Sequence, residues 1–226
     1  MRLTPRLQTL AALVPQGARL ADIGTDHGKL PISLLQENSI SCAIGSDIGE
    51  GPLAHARRNA QEHGVSITLH LAPGLQAVHP EDCDTVSIAG MGGQTIAEIL
   101  AEAPWTAEGR HLLLLQPMTM VYELRQWLWA NGYEIARETL CREDRRWYVV
   151  LSARGGAVRQ EKTRAACAVS PALLREDGAA EYLQHLLRRE SRALHGMKQS
   201  SAVQQTQLTE QRDVIGVLQQ ALEGLK

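Results

Sequence analysis

The sequence predicts an α/β fold, with a seven-stranded sheet that carries helices on both faces and a small α-helical coiled-coil domain after it. Three observations predict this fold. Short apolar segments alternate with helical patterns through the first two thirds of the chain. Two adjacent extended segments, 133–143 and 145–154, are separated by a tight polar turn and predict a closing hairpin. From about Ser170 onward, apolar residues recur at a 4,3 spacing instead.

Repeated strand–helix units imply a parallel sheet, and the hairpin adds an antiparallel strand at one side of it. The segment 110–117 is apolar throughout, as a strand buried on both faces should be. Strands are expected at 19–23, 41–47, 66–71, 84–90, 110–117, 133–143 and 145–154. Helices are expected at 29–38, 51–64, 94–103 and 121–132, with a further helix around Arg6.

The 4,3 spacing between positions 183 and 225 predicts a coiled-coil seam. Its polar exceptions are Glu190, Ser201, Gln204 and Gln211, and its middle, 198–207, is weak. We expect two antiparallel helices that turn near Ser200, with one long self-associating helix as the alternative. The predicted domains are 1–158 and 159–226.

Composition narrows the class of protein. Of the 226 residues 44% are hydrophobic, which suffices for a core. We find neither a signal peptide nor an apolar segment long enough to cross a bilayer. The four cysteines are far apart and form no CxxC pair, which argues against a zinc site or a disulfide framework. We therefore expect a cytoplasmic protein without a metal or a membrane partner, either a monomer or a weak homodimer.

Charge is distributed unevenly. Residues 1–153 carry a net charge of −5 and residues 154–226 a net charge of +3. A basic tail can approach a polyanion, although a solvated helical surface explains the same count and is the more common case.

The turn after the first strand has the pattern D-x-G-x-D-x-G, from Asp22 to Gly28. It differs from the dinucleotide fingerprint G-x-G-x-x-G because Asp26 takes the place of the middle glycine. A carboxylate there repels a pyrophosphate but not a sulfonium cation. The turn therefore suits a cofactor with a positively charged reacting centre and no phosphate.

Other strand ends add to this site, since ligands of open α/β sheets bind beyond the carboxyl ends of the strands. Asp47 ends the second strand and can accept hydrogen bonds from both ribose hydroxyls. "PGL" at 73–75 can shape an adenine pocket, and Ala89 and Gly90 end the fourth strand. The segment "AGMGG" at 89–93 contains no Asn, Pro or aromatic residue, which disfavours an exocyclic amino group as the target. The order of elements is typical of the Rossmann-like S-adenosylmethionine (AdoMet) methyltransferase fold.

Five segments carry a resemblance to a known family: "RLQTLAALVPQGARLADIGTDHGKLP", "EGPLAHARRNAQEHG", "IAGMGGQTIAEIL", "LLLQP" and "LREDGAAEYL". Together they resemble the bacterial tRNA (adenine-22-N1)-methyltransferase family, TrmK. The resemblance runs in order from about Leu3 to Ala153 and continues loosely through the helical tail. The resemblance implies a Rossmann-like AdoMet domain, a coiled-coil domain and methyl transfer to N1 of adenine 22 in tRNA. One departure is Met118, which follows Gln116-Pro117 where the family usually has Asn.

The N1 lone pair of adenine is already a nucleophile, so positioning and charge stabilisation are the main catalytic needs. We predict Asp26 as the carboxylate beside the reacting centre and His27 as a partner of the base or of a later proton. The predicted cofactor-binding residues are Asp22, Gly24, Thr25, Asp47, Ile48, Gly74, Leu75, Ala89 and Gly90. The predicted substrate-binding residues are Arg6, Met91, Gln94 and Gln116.

Two alternatives stay open at this point. The chain can be a methyltransferase of a small metabolite, which would leave the helical tail without a purpose. It can also be an RNA-binding protein that kept the fold and lost turnover, against which the intact cofactor turn argues.

Overall fold

The computed structural model describes residues 1–200 and 202–225, and its centre is one seven-stranded sheet in the order β3-β2-β1-β4-β5-β7-β6. The first five strands are parallel, and β7 runs antiparallel to both β5 and β6. The predicted hairpin is thus confirmed. The strands are β1 Ala18–Ile23, β2 Ile40–Asp47, β3 Thr68–Leu71, β4 Thr85–Gly92, β5 Leu112–Thr119, β6 Glu134–Glu143 and β7 Arg146–Arg154.

Helices cover both faces of the sheet, as the sequence predicts. They are α1 Pro5–Leu13, α2 Lys29–Gln36, α3 Glu50–Glu62, α4 Gly93–Ala101, α5 Val121–Ala130, α6 Ala179–Gln199 and α7 Gln205–Gly224. Strand β5 shows the two faces most directly. Leu113 and Leu115 belong to the core on the α4 and α5 side, whereas Leu114 belongs to the core that includes Leu10 of α1 and Leu34 of α2. A strand buried on both faces therefore lies where the sequence predicts it.

The C-terminal segment forms a helical hairpin rather than one continuous helix, with the chain turning between Gln199 and Gln205. Leu183 and Leu218 are fully buried in its seam, as the 4,3 spacing predicts. Two further buried residues, Leu186 and Val214, lie outside the predicted spacing. They are buried because the hairpin packs against the core of the sheet as well as on itself. Ser201 of the predicted seam and Lys226, the last residue of the predicted second domain, lie outside the described residues.

The segment between β7 and α6 is tied to α5 and the sheet. Arg125 of α5 is fully buried and pairs with the carboxylate of Glu138 on β6, at 2.9 Å from Nε and 2.6 Å from the second terminal nitrogen. Its remaining terminal nitrogen donates to the carbonyl oxygens of Cys167 and Ala168, each at 3.0 Å. Each of the three guanidinium nitrogens thus donates at least one hydrogen bond, as a buried charge requires. The boundary between residues 158 and 159 lies within this segment and stays a prediction.

Within the part of the chain that the structure describes, no helix has both the length and the apolar character needed to cross a membrane. No cluster of three or more metal-binding side chains occurs in that part either.

Candidate active site

The turn between β1 and α2 is shaped by residues with positive φ. Gly24 and Gly28 have φ of 69° and 67°, and Asp26, at 50°, adopts the same left-handed region, which Asp tolerates better than most residues. The N–H groups of Gly24 and Thr25 both donate to the carbonyl oxygen of Ser46, at 2.8 and 3.1 Å. The turn is thereby fixed against the end of β2, the neighbouring strand.

Asp22 lies buried at the base of this turn. Its carboxylate accepts a hydrogen bond from the Thr25 hydroxyl at 2.8 Å. Burial raises the pKa of Asp22 to about 6; the Thr25 bond opposes this and the negative charge of Asp47 adds to it. Among residues 1–200 and 202–225, no basic side chain lies within 4.0 Å of this carboxylate, and a cationic ligand would supply a positive partner.

Asp47, at the end of β2, uses one lone pair of each carboxylate oxygen for the backbone. One oxygen accepts from the N–H of Asp26 at 3.1 Å and the other from the N–H of Gly49 at 2.9 Å. A carboxylate has about four acceptor positions. Two positions therefore remain for an external donor pair such as the hydroxyls of a ribose.

Two cavities flank the turn and share Gly24. The first has a volume of about 270 Å³ and combines carboxylates with basic side chains. Eight predicted site residues line it: Arg6, Asp22, Gly24, Thr25, Asp26, His27, Ala89 and Gly90. We call it the polar cavity.

The second cavity has a volume of about 370 Å³ and mostly apolar walls, and we call it the apolar cavity. The predicted residues that line it are Gly24, Asp47, Ile48, Gly74 and Met91. Ile48 is 79% exposed, which leaves its side chain free to cover a flat ligand in this cavity. A polar and an apolar compartment on either side of one glycine match a ligand with a charged end and an apolar end.

Met91 contacts Gly24 at the border of the two cavities. Its terminal methyl group lies 2.3 Å from the position that a Cβ on Gly24 would take. Any side chain at position 24 would therefore displace Met91. The sequence predicts Met91 as a substrate-binding residue, and the structure places it beside the apolar cavity.

Asp26 and His27 lie together at the mouth of the polar cavity. The Asp26 carboxylate and the imidazole Nε2 of His27 are 3.4 Å apart, and both side chains are partly exposed. The His27 ring packs against His55 of α3 with ring centroids 4.8 Å apart. Asn59 of α3 also donates to the main-chain carbonyl of His27 at 2.8 Å. Helix α3 thus orients a carboxylate–imidazole pair that a substrate can reach.

Arg6 and Gln116 form a polar connection at the other side of the polar cavity. The side-chain oxygen of Gln116 accepts from the Arg6 guanidinium at 2.7 Å and from the N–H of Gly90 at 3.2 Å. Its amide nitrogen donates to the carbonyl of Pro117 at 3.0 Å. Gln116 is fully buried, so it acts on the cavity through Arg6 and Gly90.

The remaining two predicted residues lie outside both cavities. Leu75 is buried in the core, one residue past the Gly74 that lines the apolar cavity. Gln94 is exposed on α4, where its amide donates to Glu98 at 3.0 Å.

Sequence reasoning missed several lining residues. Lys29 and Leu30 contribute to the polar cavity from the start of α2. Thr95 and Ile99 contribute to the apolar cavity from α4. The i, i+4 spacing of Thr95 and Ile99 on α4 could have indicated that both line the same cavity, since side chains at that spacing share a helix face.

Comparison with known proteins finds similarity over the sheet and its helices. A family model described as "Methyltransferase domain" matches residues 3–151. The tRNA (adenine(22)-N(1))-methyltransferase of Bacillus subtilis (strain 168) is 36% identical over 158 residues, which cover 69% of this chain and 66% of that protein. The aligned part therefore spans just under two thirds of the length of this relative.

Two solved structures are similar over nearly the whole chain. The crystal structure of the B. subtilis m1A22 tRNA methyltransferase TrmK has a TM-score of 0.85 at 30% identity, covering 98% of this chain and 99% of that chain. Streptococcus pneumoniae Sp1610, a putative tRNA (m1A22) methyltransferase in complex with S-adenosyl-L-methionine, has a TM-score of 0.82 at 29% identity, covering 98% and 100%. The structural similarity thus includes the C-terminal helices.

Proposed function

Because this chain belongs to the tRNA (adenine-22-N1)-methyltransferase family, TrmK, we propose that it transfers the methyl group of AdoMet to N1 of adenine 22 in tRNA. One observation carries the proposal beyond the family. The two cavities share Gly24, and each is bounded by a carboxylate, Asp22 on the polar side and Asp47 on the apolar side.

The residues present fit AdoMet as the cofactor. Asp22 is a buried carboxylate that forms no ion pair with any residue that the structure describes, and AdoMet carries both an ammonium and a sulfonium. Asp47 has acceptor positions left for ribose hydroxyls, and the apolar cavity with Ile48 and Gly74 suits an adenine ring. Ala89 and Gly90 form the floor next to the methionine portion. Phosphate-bearing cofactors fit poorly, because Asp26 occupies the turn that would hold a pyrophosphate.

When bound, AdoMet supplies an electrophilic methyl group that the N1 lone pair of adenine takes up by in-line displacement. The protein contributes position and charge. Asp26 lies at the mouth of the polar cavity, where its carboxylate offsets the positive charge that the base acquires. His27 holds the base by a hydrogen bond or accepts a proton after the transfer. Arg6, held by Gln116, borders the same cavity and offers donors to the base or an adjacent phosphate.

A cytoplasmic location fits this proposal, since tRNA is the substrate and all four cysteines are free. A monomer or a weak homodimer is sufficient, because one chain supplies both cavities. We propose in addition that the chain has two domains, a methyltransferase domain at 1–158 and a helical coiled-coil domain at 159–226.

The test is incubation of the purified protein with AdoMet labelled in its methyl group and with bulk tRNA or a metabolite pool. We expect label in tRNA alone, 1-methyladenosine in the nucleoside digest, and a reverse-transcription stop at position 22. Asp26→Asn should abolish the transfer, whereas Asp213→Asn on α7, an exposed acidic control, should not. Label in a small metabolite, or tight tRNA binding without any transfer, would contradict the proposal.

A further inference from the structure

Arg6, the second residue of α1, is held by one side chain from each of three neighbouring strands. The side-chain oxygen of Gln116 on β5 accepts from its guanidinium at 2.7 Å. The carboxylate of Glu143 on β6 accepts from its main-chain N–H at 3.1 Å. The ring centre of Tyr148 on β7 lies 5.8 Å from its guanidinium carbon, within the range of a cation–π contact. Both the backbone and the side chain of Arg6 are thus fixed by the sheet.

The alternation of side chains along the strands brings these groups to α1. Leu114 of β5 and Val150 of β7 belong to the core that includes Leu10 of α1. Gln116 follows Leu114 by two residues, and Tyr148 precedes Val150 by two. Because strand residues two apart share a face, Gln116 and Tyr148 lie on the side of the sheet that α1 covers.

Glu143 fixes the start of α1 from outside the helix. The first four N–H groups of a helix have no partner within it, and the first turn of α1 contains no acidic residue. Glu143 is the last residue of β6 and pairs with Arg146 across the turn of the β6–β7 hairpin. Its carboxylate supplies an acceptor for the Arg6 N–H and a negative charge, which is favourable at a helix N-terminus. The β6–β7 hairpin therefore sets the position from which the Arg6 side chain extends.

These contacts hold Arg6 without neutralising it. Within the part of the chain that the structure describes, no carboxylate oxygen lies within 4.0 Å of its guanidinium nitrogens. The Gln116 amide is neutral, and the face of the Tyr148 ring carries only partial negative charge. Arg6 lines the polar cavity, where a Cβ on Gly90 would lie 3.7 Å from one of its terminal nitrogens. Its positive charge therefore remains available to a ligand in that cavity.

We propose that Glu143 and Tyr148 are positioning residues for the methyl transfer, because they set the Arg6 guanidinium at the polar cavity before the RNA binds. Neither residue lines that cavity, so each acts through Arg6. An arginine that is already ordered loses less conformational freedom when it binds the target base or an adjacent phosphate. The inference rests on the proposed function and deepens it, since it adds the β6–β7 hairpin to the parts of the chain on which the reaction depends.

The test measures kcat and KM for tRNA at saturating AdoMet in Tyr148→Leu and Glu143→Ala. We expect kcat/KM to fall at least about fivefold in each, because the guanidinium loses a contact that fixes its position. Tyr148→Phe keeps the ring face and Glu143→Gln keeps an acceptor, so both conservative variants should retain most of the activity. AdoMet affinity by calorimetry should equal that of the wild type in all four, since neither residue lines the polar or the apolar cavity.

A double-mutant cycle separates positioning from a general loss of structure. Adding Tyr148→Leu to Arg6→Ala should change kcat/KM no further, because the guanidinium that the ring positions is already absent. Melting temperatures of the same variants show that each is folded.

Three results would overturn the inference in a wild type that methylates tRNA, and each would leave the proposed function standing. They are an unchanged kcat/KM in Tyr148→Leu and Glu143→Ala, an equal loss from Tyr148→Leu with and without Arg6, and a loss of AdoMet affinity that parallels the loss of kcat/KM. A wild type that transfers no methyl group to tRNA would overturn the proposed function, and the inference with it.

Discussion

The side-chain nitrogen of Gln211 on α7 lies 2.7 Å from a carboxylate oxygen of Glu190 on α6 and 3.0 Å from the Glu190 carbonyl oxygen. The Tyr122 hydroxyl of α5 reaches the other carboxylate oxygen at 3.3 Å. Glu190 and Gln211 are two of the polar residues in the apolar seam, and the structure shows that they contact each other. A matched polar pair inside an apolar seam specifies which residues of the two helices face each other.

We expect Gln211→Leu to lower the free energy of unfolding by about 1–3 kcal/mol, because the buried Glu190 carboxylate loses its amide donor. Replacing both residues by leucine should recover much of that loss, since no buried charge remains. Urea denaturation measures both effects, with Gln219→Leu at an exposed position of α7 as the control. A double variant as unstable as the single one would contradict this explanation.

The same pair predicts a pH dependence. Burial alone would raise the pKa of Glu190, but the bonds from Gln211 and Arg189 outweigh it, so the pKa lies below the ordinary value of 4.5. A lowered carboxylate pKa stabilises the fold above the ordinary value, and that contribution is lost as the pH falls through the folded-state pKa. The difference in unfolding free energy between wild type and Glu190→Gln should therefore shrink below about pH 4. A constant difference between pH 7 and pH 3 would refute the assignment.

Asp22 should behave in the opposite way. Its pKa is raised from 3.8 to about 6, so its ionisation destabilises the free protein progressively as the pH rises through that interval. Asp22→Asn should raise the unfolding free energy at pH 7.5 by roughly 2–3 kcal/mol and change it little at pH 4. The variant should also lose AdoMet affinity, and wild-type affinity should fall as the pH drops below about 6. Urea denaturation at both pH values measures the unfolding free energy, and calorimetry measures the AdoMet affinity. Together they test whether the Asp22 carboxylate lowers stability while it strengthens cofactor binding.

Gly24→Ala should damage the cofactor site in two ways. The new Cβ would lie 2.3 Å from the Met91 methyl group, and a φ of 69° is unfavourable for alanine. We expect a loss of about 1 kcal/mol of stability from the backbone alone and weaker AdoMet binding. Gly24→Ala combined with Met91→Ala removes the clash but not the backbone strain. Full recovery of stability in that double variant would show that the strain contributes nothing.

Arg125→Met should be the most destabilising change among these. It leaves the Glu138 carboxylate buried without a partner, for which about 3–5 kcal/mol is the usual loss. It also frees the carbonyls of Cys167 and Ala168. Urea denaturation measures the loss, and Arg137→Met, on the exposed side of β6, is the control. A loss below 1 kcal/mol would indicate that water or another donor replaces the guanidinium.

The order and type of the elements were predictable from the sequence, because periodicity and turn residues act locally. Each predicted strand lies within two residues of the observed one at both ends. Most of the candidate site was also accessible, since motifs at the ends of parallel strands converge at one edge of the sheet. The sequence favours the helical hairpin over a single helix, because an apolar helix face needs a partner face to cover it.

The contacts between distant residues were not predictable. Arg6 and Gln116 are 110 positions apart in the sequence, and no periodicity indicates that they touch. Arg125 lies on the apolar face of α5, between Tyr122 and Trp129, so its burial follows the pattern. Its partners, Glu138 on β6 and the carbonyls of residues 167 and 168, approach it only in the folded chain. The burial of Leu186 and Val214 likewise depends on a second packing surface that a two-helix pattern does not contain.

Arg125 holds the segment between β7 and α6 through the main-chain oxygens of residues 167 and 168. These hydrogen bonds depend on the position of the backbone and not on the side chains of the two residues. Other small residues at 167 and 168 would keep these hydrogen bonds, whereas large ones would not fit because both side chains are fully buried. Arg125 therefore fixes where the chain leaves the sheet, whereas the docking of the helical hairpin also needs the apolar contacts that Leu186 and Val214 make with the core.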